Sequence, residues 1–265
     1  MARSCKIEKL LLFKKCIMTT DPVISRALDY PYSSPAYDFV LDKGSLARLQ
    51  DKISLEGRIP VLAIGSNRSP EQLLRKFGDQ DFLPVTCVKL CGYDVVYAAH
   101  MASYGSIPAV LTRSPGTIID IGINWLSRIQ LERMHETEAI GVNYNFGIAS
   151  KLNILSRNEH RIHNVGCYLG SHGCLSLKKN PIALKEINAR NRVFTALSQF
   201  EILGEIHSNN SKGIPFEVWL KHLINHNDAR RHITATFAQN AIKNILPNFK
   251  IYDREHLEKC FVQTD

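Results

Sequence analysis

Apolar residues follow two rhythms along this chain. Between residue 58 and about residue 177 they come as short runs or alternations bounded by Gly, Pro, Asn and Ser, the pattern of strands. The runs are 61–64, "PVTCVKLCGYDVVYAA" (84–99, broken at Gly92), "PAVLT" (108–112), "TIIDIGINWL" (117–126), "VNYNFGIAS" (142–150) and "VGCYLG" (165–170). Helical spacing interrupts them at 70–77 and at about 128–138. After residue 180 the period becomes helical, over 181–200 and again over 215–246, with the polar "HSNNSKG" between them. Ahead of the strands, "DYPYSSPAYDF" is held extended by its prolines, and "KGSLARLQDKI" reads as a short helix. Several strands with few helices and short turns predict an α+β fold. The expected form is a small mixed β-barrel with flanking helices and a helical C-terminal extension packed on it. The expected divisions are 1–57, 58–178 and 179–265.

Two places where the pattern changes hold candidate chemistry. The first is "VLAIGSNRSPEQLLRKF" (61–77), where a buried run meets a helix start. Ser69 followed by Pro70, Glu71 and Gln72 has the form of a capping box with Pro at the first helical position. Gly65, Ser66, Asn67 and Arg68 lie between strand and helix. Their N–H groups can converge on an anion, and a plain connection is the other reading. A phosphate-binding loop would need Gly-Lys-Ser/Thr, and a dinucleotide site three spaced glycines; neither is present.

The second is "NWLSRIQLERMHETEAIGVNY" (124–144), where Ser127 and Gln130 form another capping box. Arg128, Glu132 and Glu136 recur every four residues as a solvent-facing row. Glu138 instead lies seven residues from Leu131 and four from Met134, on the apolar stripe. A carboxylate directed at a core must be neutralised or engaged, which makes it a candidate acid/base; hydration at a helix end is the competing reading.

Composition narrows the function classes. The 265 residues are 45% hydrophobic, enough for a sizeable core, and no apolar run approaches the ~20 residues of a membrane span. "MARSCKIEKLLLFKKCIM" is basic around a block too short for a signal sequence, and Met18 is an equally good start, so a soluble cytoplasmic protein is expected. The net charge of +8 is concentrated at the ends: residues 1–18 carry 5 positive and 1 negative charges, and residues 151–265 carry 16 and 10. The segment between is almost neutral, so nucleic acid is not the expected partner, and "NDARRHITATF" reads as a solvated helix face. Seven scattered cysteines imply reduced thiols. Cys87/Cys91 and Cys167/Cys174 lack the spacing of a zinc site, and no metal or organic cofactor is expected.

The two motifs and the strands between them resemble the gamma-glutamylcyclotransferase-like family over roughly residues 58–178. Proteins of that family show Tyr-Gly-Ser-Asn after the first strand, a Gly…Ala-Thr-Leu strand, a Gly-containing strand leading to Leu-Thr, and Leu-Asp-x-x-Glu. The counterparts are Ile64-Gly65-Ser66-Asn67, Gly105 to Leu111, Gly122 to Leu126, and Met134-His135-Glu136-Thr137-Glu138. Two positions depart from that pattern. Ile64 stands where the family has Tyr, and the Pro-Ser-x-x-Tyr that often follows the barrel is replaced by Pro181-Ile182-Ala183-Leu184. Tyr97, Tyr104, Tyr144 and Tyr168 are the candidate replacements, each also readable as a packed strand aromatic.

The resemblance implies a barrel of that type and a small-molecule gamma-glutamyl substrate. In the implied reaction the substrate's alpha-amine attacks its own side-chain carbonyl, giving 5-oxoproline and a released amine. Glu138 matches the catalytic glutamate, which would be the general acid/base. Ile64, Gly65, Ser66, Asn67, Arg68, Tyr104, Gly105 and Tyr144 would bind the substrate. The alternative expectation is a non-catalytic small-molecule-binding or regulatory protein on the same scaffold, and a third is a nucleic-acid-associated protein using the basic C-terminal part. Oligomeric state is not indicated.

Overall fold

The structure is a computed structural model that describes residues 21–50, 53–79, 82–156, 162–211 and 213–252. The readings of residues 1–18 lie outside the described residues. The helices are α1 (Pro22–Leu28), α2 (Pro70–Phe77), α3 (Arg128–Thr137), α4 (Gln199–Asn210), α5 (Phe216–Asn225) and α6 (Asn227–Ala238). The strands up to residue 170 are β1 (Phe39–Asp42), β2 (Ser45–Arg48), β3 (Ile59–Ala63), β4 (Leu83–Tyr97), β5 (Ala109–Leu126), β6 (Tyr144–Ser150), β7 (Ile154–Ser156) and β8 (Asn164–Gly170). Later come β9 (Ser176–Leu177), β10 (Asn180–Pro181), β11 (Ala183–Leu184), β12 (Ala189–Arg190), β13 (Ala196–Leu197) and β14 (Phe249–Ile251).

The antiparallel pair β4–β5 is the axis of the sheet, matched from Val85↔Asn124 to Tyr97↔Ala109. Gly92 does not break β4. At φ 83 it carries a bulge between Cys91 and Tyr93, so the strand bends and continues. Strand alternation sends Leu62, Val95, Tyr97, Leu111, Ile121 and Ile123 to one face, where they pack with Ile24, Leu203, Trp219, Leu220 and Phe237 from α1, α4, α5 and α6. Val61, Val96, Val110 and Leu126 take the other face with Leu73 of α2 and Leu131 and Met134 of α3. The mixed sheet therefore lies between two groups of helices. No helix among the described residues is long and apolar enough to cross a membrane.

The α+β class stands, but the sheet is not closed into a barrel. From β5 it runs through β3, β8 and β6 to β14, while β1, β7 and β11 share the far edge of β4. β14 takes the outer edge of β6, pairing Phe249 with Ala149, so the hydrogen bonds that closure would need are already used.

Two local readings are also corrected. The expected helix over 43–53 is in part a hairpin: Lys43 (φ 46) and Gly44 (φ 76) form a two-residue turn between β1 and β2, and β1 is drawn onto β4 through Phe39↔Val85. The expected helix over 181–200 is instead a wrap of short strands, with helix starting only at Gln199. There Ala183 pairs with both Val96 and Ala196, and Arg192 makes a two-nitrogen contact with the fully buried Asp94. That burial and pairing override the apolar spacing on which the helix reading rested.

Candidate functional site

The α3 N-terminus forms as its sequence requires. The Ser127 hydroxyl accepts from the Gln130 N–H at 3.2 Å, and the Gln130 side chain accepts from the Ser127 N–H at 2.9 Å. From that start the stripe of Leu131 and Met134 is buried, Glu132 and Glu136 face solvent, and Glu138 terminates the helix, its N–H on the Met134 carbonyl at 3.1 Å. Ala139 (φ 49) then turns the chain away.

The Glu138 carboxylate is engaged. Its Oε1 accepts the Lys76 ammonium of α2 and, at 3.0 Å, the amide of Asn67. The pair is largely withdrawn from water, the Lys76 and Glu138 side chains being 8% and 15% exposed. Lys76 is fixed in turn: its Nζ reaches the Met134 sulfur at 3.4 Å, and its carbonyl accepts the Arg133 Nε–H at 3.2 Å. Asn67 is fixed through its own carbonyl, which accepts from the Asn124 amide at 3.1 Å. The Asn67 side-chain oxygen is buried without a partner. Both described partners of Glu138 sit on Oε1.

The corner itself is a single 3-10 turn, Ser66–Arg68. The N–H groups of Arg68 and Ser69 are used within it, donating to the carbonyls of Gly65 and Ser66. A cradle of donors along 65–68 is thereby narrowed to the front of the turn. Ser69 starts α2 as its position indicates, but its hydroxyl is buried without a partner and no capping box forms. Gly65 has φ −128, outside the left-handed region. Glycine is needed there for space: a Cβ would strike the Tyr30 hydroxyl and come within 3.1 Å of the Ala109 Cβ.

A cavity of about 710 Å³ opens onto this carboxylate. Of the residues singled out in the sequence, Ile64, Gly65, Ser66, Asn67, Tyr104, Glu138 and Tyr144 line it. Arg68 and Gly105 do not. Arg68 lies against Gly122 toward Cys87 and Asp120, and burial lowers its guanidinium pKa. Gly105 (φ 86) is pressed on α5, where a Cβ would meet Ile224. Among the candidate replacement tyrosines, Tyr97 donates to the Leu197 carbonyl at 2.9 Å, while Tyr168 bonds the His135 ring at 2.8 Å and borders the cavity. Burial raises the pKa of Tyr104 and Tyr144 well above the usual phenol value, so both are neutral donors.

Several lining residues carry no signal in either sequence motif. Tyr30 comes from the segment after α1, His100 from the β4–β5 connection, His172 from the turn after β8, and Arg231 and Thr234 from α6. Lys76 does have a readable signal, since it follows Leu73 by three residues and so falls on the buried stripe of α2. His100 is 3% exposed with a partnerless Nδ1, and its ring lies 4.9 Å from that of His172. Burial first, and His172 second, lower its pKa to about 3. The basic "NDARRHITATF" stretch divides. Arg230 turns inward and donates to the carbonyls of Leu223 and Ile224 at 2.7 and 2.6 Å, capping α5, while Arg231 and His232 face solvent. Among the described residues no His/Cys/Asp/Glu group is placed to hold a metal. Burial raises the Cys167 and Cys174 thiols to about 12 and about 11, leaving them unreactive at neutral pH.

No family model matches the chain, and no curated protein matches it. Two solved structures do. An uncharacterized protein from Homo sapiens aligns at 14% identity and TM-score 0.38, covering 77% of this chain and 98% of its own. A gamma-glutamyl cyclotransferase aligns at 13% identity and TM-score 0.36, covering 77% and 99%.

Proposed function

We propose that the cavity binds a gamma-glutamyl amide and cyclises it to 5-oxoproline with release of an amine. The observation that carries this reading is the Glu138 carboxylate, clamped through Oε1 by Lys76 and Asn67 in the wall of a cavity of about 710 Å³. A base must be fixed within reach of the proton it takes, and a two-point clamp on one oxygen fixes it. The substrate supplies its own nucleophile, so the protein's task is to fold the glutamyl chain into a near-attack shape. The alpha-amine nitrogen forms its bond to the gamma-carbonyl carbon and gives its proton to Glu138. The old amide C–N bond then breaks, its electron pair staying on the leaving nitrogen, which takes that proton back. No further reactant is consumed.

Purified full-length protein incubated with gamma-glutamyl amines and peptides, with 5-oxoproline quantified by mass spectrometry, tests the reading directly. Product from at least one compound is expected. Binding of the compounds with no 5-oxoproline formed would instead make this a non-catalytic small-molecule-binding protein, with Lys76 holding Glu138 as a fixed anion.

A further inference from the structure

Tyr30 lies outside both sequence motifs, yet it covers the corner they create. Its segment is held there from two sides: the Ser106 hydroxyl donates to the Ala27 carbonyl at 2.8 Å, and Lys221 of α5 pairs with Asp21 at the start of α1 at 2.6 Å. The ring is 3% exposed, stands directly over Gly65 and lines the cavity. Its oxygen accepts the Ala109 N–H at 2.8 Å. Glu138 is close enough to influence its ionisation.

A phenol oxygen offers two lone pairs and one hydrogen. The backbone donor of Ala109 occupies one lone pair, and no described hydrogen bond uses the hydrogen. A buried hydroxyl hydrogen without an acceptor is costly, and a carbonyl oxygen of a bound ligand would satisfy it. Burial, with the Glu138 charge adding to it, raises the Tyr30 pKa well above 10 and so keeps the group a donor at working pH. The Ala109 N–H on the oxygen also limits where the hydrogen can point, the preorganisation that stabilises a developing charge.

We infer that the Tyr30 hydroxyl donates its hydrogen bond to the gamma-carbonyl oxygen of the substrate and stabilises the negative charge that builds there during ring closure. This rests on the cyclisation reading above. As the amine nitrogen bonds to the carbonyl carbon, the C=O π pair moves onto the oxygen facing Tyr30. It returns when the old C–N bond breaks. Tyr30 keeps its proton throughout, and Glu138 carries the only proton that moves. A segment some thirty-five residues ahead of the corner thus supplies the electrophilic half of the site.

The test measures kcat and KM for full-length Tyr30→Phe on gamma-L-glutamyl-L-alanine, glutathione and gamma-glutamylethylamide. Tyr32→Phe is the control, since its hydroxyl is buried without a partner and its ring lies 6.0 Å from that of Tyr30. With the best substrate, Tyr30→Phe is expected to lower kcat by about 100-fold with KM within about threefold of the parent, and Tyr32→Phe to change neither. Replacing Tyr30 by 3-fluorotyrosine, which keeps the O–H, should restore kcat. An unchanged kcat in Tyr30→Phe overturns the inference and leaves cyclisation standing, as does a raised KM at parental kcat, which would place Tyr30 on a ground-state contact. A loss that 3-fluorotyrosine fails to restore shows a collapsed wall rather than a missing donor, and also overturns it. If the parent forms no 5-oxoproline from any of the three compounds, the cyclisation reading fails first and the role of Tyr30 with it.

Discussion

The cavity has two walls with different origins. One is the corner of Gly65, Ser66 and Asn67 with Glu138 at the end of α3, which two short stretches of sequence encode within themselves. The other is made of Tyr30, His100, His172 and α6, drawn from four separate parts of the chain. On the first wall the ties join those two stretches to each other across the α2–α3 contact: Asn67 and Lys76 on Glu138, Lys76 on Met134. On the second, the ties reach outside both stretches, as with Tyr30 on Ala109 and Met101 N–H on Thr234 at 3.3 Å. A reactive group can be written locally, whereas the enclosure that gives it a ligand has to be assembled.

The comparison can be tested first where the assembled part is stapled down. Asp94 is fully buried, and Arg192 is the charged partner that fastens the 181–197 wrap to β4. Arg192→Ala strands that carboxylate and should cost about 3–5 kcal/mol in urea unfolding. A cost below about 1 kcal/mol would mean the wrap is held by strand pairing alone.

Next comes pH. The folded pKa of His100 is lowered to about 3 while the unfolded side chain titrates near 6.5, so between those values the unfolded chain binds a proton that the folded one refuses. This contribution is complete above pH 6.5 and is lost as pH falls toward 3, at about 1.4 kcal/mol for each pH unit crossed. His100→Phe should flatten the fall in stability over that window; an unchanged slope would show that another group carries it.

Where the two walls touch, Gly65→Ala drives a Cβ into the Tyr30 hydroxyl and should cost about 1–3 kcal/mol. Adding Tyr30→Phe removes the colliding atom, so the double variant should recover part of that loss, read as coupling in a double-mutant cycle. Additive losses would mean that the two walls do not press on each other. The smallest effect belongs to Glu132→Gln and Glu136→Gln, both on the solvent face of α3. Stability and turnover should stay within about 0.5 kcal/mol and twofold of the parent.

Legibility in the sequence follows the same division. Strands β3, β6 and β8 and the start and end of α2 and α3 are set by local apolar spacing, prolines and caps, and all can be read directly. Ser69 shows the limit: position makes it an N-cap, but burial against the corner leaves its hydroxyl unused, whereas the partly exposed Ser127 closes its capping box. The β1–β2 hairpin and the 181–197 wrap depart from the helices their spacing suggests because edge pairing on β4, visible only in three dimensions, decides both. The open sheet has the same cause, since β14 arrives from the far C-terminal segment to occupy the edge of β6. Glu138 is identifiable as a carboxylate on an apolar stripe. Lys76 obeys the same rule and can be found by it. Tyr30 carries no local signal: within "DYPYSSPAYDF" it is one tyrosine among three, and only the fold brings it over Gly65.

The central claim is that Glu138 moves the proton in a ring closure, and the most direct measurement is 5-oxoproline formed per minute by the parent and by Glu138→Gln on the best gamma-glutamyl compound. Gln keeps shape and volume and can still bond Lys76 through its oxygen, but it cannot accept the amine's proton. Turnover should fall by at least about 100-fold while the compound's affinity, followed by calorimetry, stays within about threefold of the parent. Equal turnover in the two proteins would contradict the account.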